Sequence, residues 1–187
     1  MTLGSHQTLV GKSQVHLTPK WIIDALGPFD LDPCAATVRP WDCAADNIVE
    51  AEDGLSFEWE GFVWLNPPFN RYVVGEWMRR MAEHNNGIAL LHARTETAWF
   101  RVCWRACSAI LFMDRRLNFY KPDGTPNTIA KAGSKYAGSK GNSGAPPVLC
   151  AFGAEAHRRL KSSGIAGALV TRWQWVDPAR LFLVDRM

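Results

Sequence analysis

At 187 residues, with 47% hydrophobic and 21% charged side chains, the chain is long enough to bury one substantial core and has the composition of an ordinary globular domain. No apolar run approaches the ~18 residues that span a bilayer, and the first residues lack the charged and apolar regions of a signal peptide, so a cytoplasmic protein without a membrane partner is expected. The net charge of +3 hides an asymmetry: residues 1–70 carry three Lys/Arg against ten Asp/Glu, a net of −7, and residues 71–187 carry eighteen against eight, a net of +10.

An acidic first part suits a cationic ligand, and a basic remainder suits a polyanion such as nucleic acid. The five cysteines are odd in number and irregular in spacing, which argues against a disulfide framework. Cys103 and Cys107 are four apart and share a helix face. With a His nearby the pair could be half a metal site, but the two read more readily as small buried hydrophobes, so no metal is expected.

In chain order, residues 1–15 are polar and aperiodic, a loose arm. "LTPKWIIDALG" predicts a short helix with Thr18 as N-cap, Pro19 at its first position and Gly27 as its stop. In "FDLDPCA" Phe29 and Leu31 alternate with Asp30 and Asp32, a strand ended by Pro33. Residues 36–56 are acidic and show no clear pattern. "GFVWL" predicts a buried strand ended by Asn66-Pro67-Pro68. "NRYVVGEWMRRMAEHNNG" predicts a helix with a Val73, Trp77, Met81 stripe, a Glu76–Arg80 pair and an exit at Asn86-Gly87.

"IALLHA" predicts another buried strand, "TETAWFRVCWRAC" a helix, and "AILFM" and "RLNFY" two further strands. "PPVLCAFG", "AEAHRRLKS" and "GALVTRW" predict strand, helix and strand. This alternation specifies one α/β domain over residues 16–187, with a mostly parallel sheet flanked by helices. Residues 121–147 stand apart. They hold five Gly, four Pro and four Lys, with Asp123 the only acid. Lys131, Lys135 and Lys140 in such a loop suit a phosphate backbone, because Gly permits close approach and Lys is a point charge; a plain surface loop fits equally.

Ligands of open α/β sheets bind outside the carboxyl ends of the strands. Asp32-Pro33 and Asn66-Pro67 both fall at such ends. In "NPPF" two prolines stiffen the turn and push the residues before them toward extended geometry. The Asn66 side chain and the Pro67 backbone then offer two carbonyl acceptors on a rigid frame, and Phe69 adds a flat apolar surface. The natural guest is a planar group with an exocyclic amine. Two acceptors hold both of its N–H bonds and expose the nitrogen lone pair, and the ring of Phe69 stacks on a base taken out of its helix.

"NPPF" resembles the Asn/Asp-Pro-Pro-Tyr/Phe motif of amino-methyltransferases that use S-adenosylmethionine. The ordered set "LTPKWIIDAL", "FDLDPCAA", "DGL" and "VWLNPPF", followed by "LLHARTETAWF" and "ILFMDRRLNFY", is similar to the phage Dam family of DNA N6-adenine methyltransferases across residues 15 to 153. That resemblance implies a reduced Rossmann-like methyltransferase fold, S-adenosylmethionine as cofactor and double-stranded DNA as substrate. It implies a phage or prophage protein in a bacterial host, connected with restriction-modification and acting as a monomer or weak dimer.

It also implies residue roles. Thr18 and Pro19 line the cofactor pocket, and Asp32, Pro33, Cys34 and Ala35 meet the cofactor, with Asp32 facing its ammonium. Asp53 and Leu55 sit by its adenine. Asn66, Pro67, Pro68 and Phe69 are the catalytic turn, and Asn66 also borders the cofactor. The family's Gly-rich loop is absent from "DPCAATVRP". Only 33 positions separate Pro33 from Asn66, so part of the usual sheet is expected to be shortened or missing. Asp42, Asp46 and Glu50 are all candidates for the ribose. Arg115 and Arg116 are expected to meet phosphate. Arg94, in "RTET", either contacts DNA or belongs to a segment that caps the next helix. Two other readings keep or lose the chemistry: a protein-glutamine or RNA-guanine methyltransferase, and a catalytically inactive DNA-binding module.

Overall fold

The computed structural model describes residues 15–127 and 145–174. Its elements are α1 (Lys20–Leu26), β1 (Leu31–Ala35), β2 (Asp46–Val49), β3 (Val63–Leu65), α2 (Val74–His84), β4 (Gly87–His92), α3 (Phe100–Ala106), β5 (Ala109–Met113), β6 (Pro147–Phe152), α4 (Gly153–Ser162) and β7 (Gly167–Val170). They form one seven-stranded sheet in the order β2-β1-β3-β4-β6-β5-β7. The ladders among β2, β1, β3 and β4 are parallel. β6 runs antiparallel between β4 and β5, and β7 runs antiparallel on β5.

Five strands therefore point one way and two are reversed. The expected parallel sheet is present in strand direction, but a reversed strand is wedged inside it. One consequence is positional. The carboxyl ends of β1, β3, β4 and β5 share one edge with the amino end of β6, where Pro147 pairs with His92.

Central strands of such a sheet are buried on both faces and so read as unbroken apolar runs. Alternate residues enter two cores. Trp64, Ile88, Leu90, Leu111, Leu149 and Ala151 pack with α1 and α4. Val63, Leu65, Ala89, Leu91, Ile110 and Cys150 pack with α2 and α3. Arg159 of α4 ties the first layer together. Its guanidinium lies 4.1 Å from the Phe62 ring, donates to the carbonyls of Leu26 and Pro28, and pairs with Glu155 at 2.6 Å.

Several local expectations are corrected. Pro33 does not end β1; the strand continues to Ala35 through a shift in its register with β2. Thr18 does not cap α1, whose N-cap position is Pro19 with no side-chain cap. β2 is an additional edge strand, only half-covered, so its sequence carries no strong apolar pattern. α3 starts at Phe100 because Thr97 Oγ1 accepts the Phe100 N–H at 3.3 Å and the preceding residues form a turn.

α2 leaves through Asn85 in the left-handed region, and Gly87 already belongs to β4. Arg80 does not pair with Glu76: it donates to the Phe57 carbonyl at 2.8 Å and lies over the Trp59 ring. "RLNFY" buries Leu117 and Phe119 as a strand would. Its ladder is reduced to single bridges from Tyr120 to Leu17 and to Pro126.

The expected shortening is located between β1 and β3. The connections on either side of β2 contain no α-helix, only a 3-10 turn at Glu50–Glu52. What replaces the missing packing is a close approach of backbones. A Cβ on Gly54 would stand 1.8 Å from the Pro33 carbonyl oxygen, so only glycine lets the 53–55 loop lie on β1.

Gly54→Ala is expected to cost about 2 kcal/mol or more in a urea unfolding titration, because backbone must move. Gly75→Ala is expected to stabilise by roughly 0.5 kcal/mol. It sits in α2, and its nearest neighbour, the Trp99 Cβ, would be 3.9 Å from the added carbon.

Candidate active site

Four segments converge at the carboxyl edge of the parallel strands. The end of β1 carries Asp32 to Ala35, and the residues after β3 carry Asn66 to Phe69. The two are joined by the Cys34 thiol, which donates to the Asn66 carbonyl at 3.2 Å. The 53–55 loop lies on Pro33 through Gly54, and Trp59 Nε1 fixes it by donating to the Gly54 carbonyl at 2.8 Å. The fourth segment precedes α1: the His16 carbonyl accepts from Asn66 Nδ2 at 3.2 Å.

That last bond orients the Asn66 amide. Its nitrogen is spent on His16, and its oxygen Oδ1 is buried with no donor. Two residues further on, Thr18 is buried and its Oγ1 also has no partner. Its carbonyl accepts from Trp41 Nε1 at 3.2 Å. Buried polar atoms are almost always paired, with protein or with ordered water. Among the described residues Asn47 Oδ1, Trp64 Nε1 and Arg80 Nε also lack a partner, but Asn66 Oδ1 and Thr18 Oγ1 stand together at this edge.

Asp30 and Asp32 look alike in sequence and differ in the fold. Asp30 accepts the Phe62 N–H at 2.6 Å and serves as a latch between strands. Asp32 is 4% exposed, and burial raises its carboxyl from 3.8 to about 7. The Cys34 N–H, the Arg39 charge and the Cys43 and Cys34 thiols pull the other way. Burial and the neighbouring Asp32 raise both thiols well above the ordinary range, so they act as neutral hydrogen-bond groups.

Sequence reasoning missed His92. It ends β4 and stacks on Phe69, with ring centroids 4.0 Å apart and planes 13° from parallel. Burial lowers it to about 4, helped by Arg94 and His16, so the ring is neutral at pH 7. The available signal was positional: a polar side chain directly after a buried parallel strand. His16 was missed as well, since its contribution is a backbone carbonyl, which no sequence pattern advertises.

The basic residues are less concentrated. Arg94 is exposed, and its carbonyl accepts the Thr97 N–H and hydroxyl in the turn before α3. Arg115 is spent in part on Asp114, with bonds of 2.9 and 3.0 Å. Arg115 and Arg116 line a cavity of about 300 Å³ with Pro19, half-exposed Trp21 and Tyr120, so the end of β5 folds back toward the segment that carries Thr18. Lys131, Lys135 and Lys140 lie outside the described residues.

Asp32 makes a testable contribution to stability. The folded chain holds its proton up to about pH 7, whereas the unfolded chain releases it near 3.8. Between those values the folded state binds the extra proton, so Asp32's contribution is greatest below the lower value and falls as pH rises to the upper one. The stability of Asp32→Asn relative to the parent is therefore expected to increase across this window by on the order of 4 kcal/mol and to level off above it. Urea titrations at several pH values measure this; a difference independent of pH contradicts it.

No curated protein matches the chain. Residues 5–150 match the family described as DNA N-6-adenine-methyltransferase (Dam). The match favours adenine over the protein-glutamine and RNA-guanine alternatives. It covers all four converging segments, and the fold agrees with it: the chain belongs to the Dam family of S-adenosylmethionine-dependent, adenine-specific DNA methyltransferases.

Proposed function

We propose that this protein binds S-adenosylmethionine along the ends of β1 and β2 and methylates N6 of an adenine held by Asn66, Pro67, Pro68 and Phe69. The observation that carries this reading is the Asn66 side-chain oxygen, buried without a donor while the amide nitrogen is fixed by His16. An exocyclic amine supplies the donor that this oxygen lacks.

The residues present fit the cofactor. Asp32 is a buried carboxyl whose ionised form needs a cation beside it, and the cofactor's ammonium is one. The orphan Thr18 hydroxyl suits its carboxylate. Pro33, Cys34 and Ala35 form the floor beneath it, with Pro19 at the rim. Asp53 and Leu55 flank its adenine. Of the three acids proposed for the ribose, Glu50 follows the carboxyl end of β2, Asp46 starts that strand at the opposite edge, and Asp42 pairs with Arg39 at 2.6 Å. We assign the ribose to Glu50. When bound, the cofactor supplies an electrophilic methyl group on a sulfonium.

The chain's own part is orientation and electrostatics. Asn66 Oδ1 and the Pro67 carbonyl each accept one N–H of the adenine amine and turn its lone pair outward. Phe69 stacks on the flipped base, and neutral His92 backs Phe69 without adding a positive charge. Arg94, Arg115, Arg116, Lys131, Lys135 and Lys140 hold double-stranded DNA by its phosphates. Residues 16–187 act as one domain, as a monomer or weak dimer; the arm expected over 1–15 lies, but for Val15, outside the described residues. On the resemblance of the ordered motifs alone, we place the activity in a phage or prophage protein connected with restriction-modification, in protection from restriction or in regulation.

Calorimetric titration with S-adenosylmethionine tests the cofactor assignments. The affinity of the parent should fall below about pH 7, as Asp32 keeps its proton. Asp32→Asn should lose at least tenfold and show no such fall, and Asn66→Ala should bind within about threefold of the parent. Equal affinity of the parent and Asp32→Asn at pH 8 would remove Asp32 from the site. For DNA, replacing Lys131, Lys135 and Lys140 together should lower the slope of log affinity against log salt by up to about 2.7. An unchanged slope makes the loop a bystander.

A further inference from the structure

The fold adds a third cysteine to the pair that is legible in sequence. Cys103 and Cys107 lie on one face at the end of α3, and Cys150 lies on β6 beneath them. Their three sulfur atoms are all within 4.8 Å of one another. All three cysteines are free. Cys103 and Cys150 are fully buried and Cys107 partly so. Cys107 borders a cavity of about 400 Å³ that Ser108, Arg105 and Arg172 also line.

We infer that Cys103, Cys107 and Cys150 form a binding site for one thiophilic cation of the zinc class, with three thiolate ligands and a fourth position open to this cavity. The spacing suits such an ion. With metal–sulfur bonds of about 2.3 Å, a tetrahedral site needs its sulfurs roughly 3.8 Å apart. The three thiols therefore need to close by about 1 Å or less. Cys103 comes from α3, Cys107 from the residue that ends it, and Cys150 from a central strand.

Burial raises each thiol, but on Cys103 the hydrogen bonds from Cys107 and Cys150 outweigh it and lower that thiol; the other two are raised in exchange. An all-sulfur set selects a soft or borderline cation over magnesium or calcium. Binding a divalent ion replaces the S–H protons of the ligating thiols, which leave to solvent. The resulting three-thiolate complex carries one negative charge, next to Arg105 and Arg172 on the cavity wall. The site lies before the amino end of β5, on the edge of the sheet opposite Asn66. Its role is to staple α3 to β6, outside the methyl-transfer chemistry.

The test uses the full chain, reduced with a phosphine under anaerobic conditions. Cadmium titration should give an ultraviolet thiolate-to-metal charge-transfer band that saturates at one equivalent, with release of thiol protons. Cadmium should displace bound zinc, and zinc alone should raise the melting temperature by roughly 5 °C or more. Cys107→Ser, a change at the partly exposed member, should lose most of the band and the thermal shift. Cys43→Ala, which removes a thiol beside Asp32, should keep both.

A parent without the band overturns the site, as does an equal band in Cys107→Ser or a band lost in Cys43→Ala instead. If Cys107→Ser does not fold, X-ray absorption of the zinc-loaded parent decides. Three sulfur neighbours at about 2.3 Å are expected, and fewer than three overturn the assignment.

Discussion

A buried side-chain oxygen with no donor governs the site. Leaving such an atom unpaired costs about 1–3 kcal/mol, and the structure shows why Asn66 keeps it. The amide cannot simply turn over, because its nitrogen donates to the His16 carbonyl. The turn cannot easily relax, because two prolines stiffen it and the Cys34 thiol holds the Asn66 carbonyl from β1. The cost is met by the rest of the fold, and under the proposed function the acceptor receives the adenine amine. Preorganisation of this kind removes the reorganisation that catalysis would otherwise require.

The sheet decides what meets at that acceptor. Parallel strands put the ends of β1, β3 and β4 on one edge, and the reversed β6 starts at that same edge. The acidic third of the chain thus contributes Asp32, Asp53 and Glu50 to one side. The basic remainder arrives from β4 and β5 with Arg94, Arg115 and Arg116. Under the proposed function, the charge asymmetry of the sequence becomes two neighbouring roles, a pocket for a cationic cofactor and a rim for a polyanion. The shortened β1–β3 region keeps the first of these by backbone contact, with Gly54 lying on Pro33 where a longer connection would pack a helix.

What could be read from the sequence follows from how local each cause is. The NPPF turn, the buried strands and the order of motifs depend on nearest neighbours, and the structure reproduces them. Asp30 and Asp32 alternate in one strand, and only the three-dimensional partners separate the latch from the buried carboxyl. Thr18 has the chemistry of a helix cap, but tertiary packing turns its hydroxyl inward. Pro33 has the chemistry of a strand end, yet a register shift carries β1 past it. His92 and Cys150 act through residues 23 and 43 or more positions away in sequence, Phe69 in one case and Cys107 and Cys103 in the other. No single-sequence pattern encodes contacts of that range. β2 escaped notice for the opposite reason: as a half-covered edge strand it needs little apolar sequence.

The central claim is that Asn66 presents its oxygen to an adenine amine. Its most direct test is mass spectrometry of nucleosides from unmethylated DNA incubated with S-adenosylmethionine and either the parent protein or Asn66→Ala. N6-methyladenine from the parent, and at least a hundredfold less from the variant at matched cofactor occupancy, is the expected result. Methylation by Asn66→Ala within tenfold of the parent would contradict the account, and the absence of any methylated base from a parent that binds the cofactor would leave a DNA-binding module in place of the enzyme.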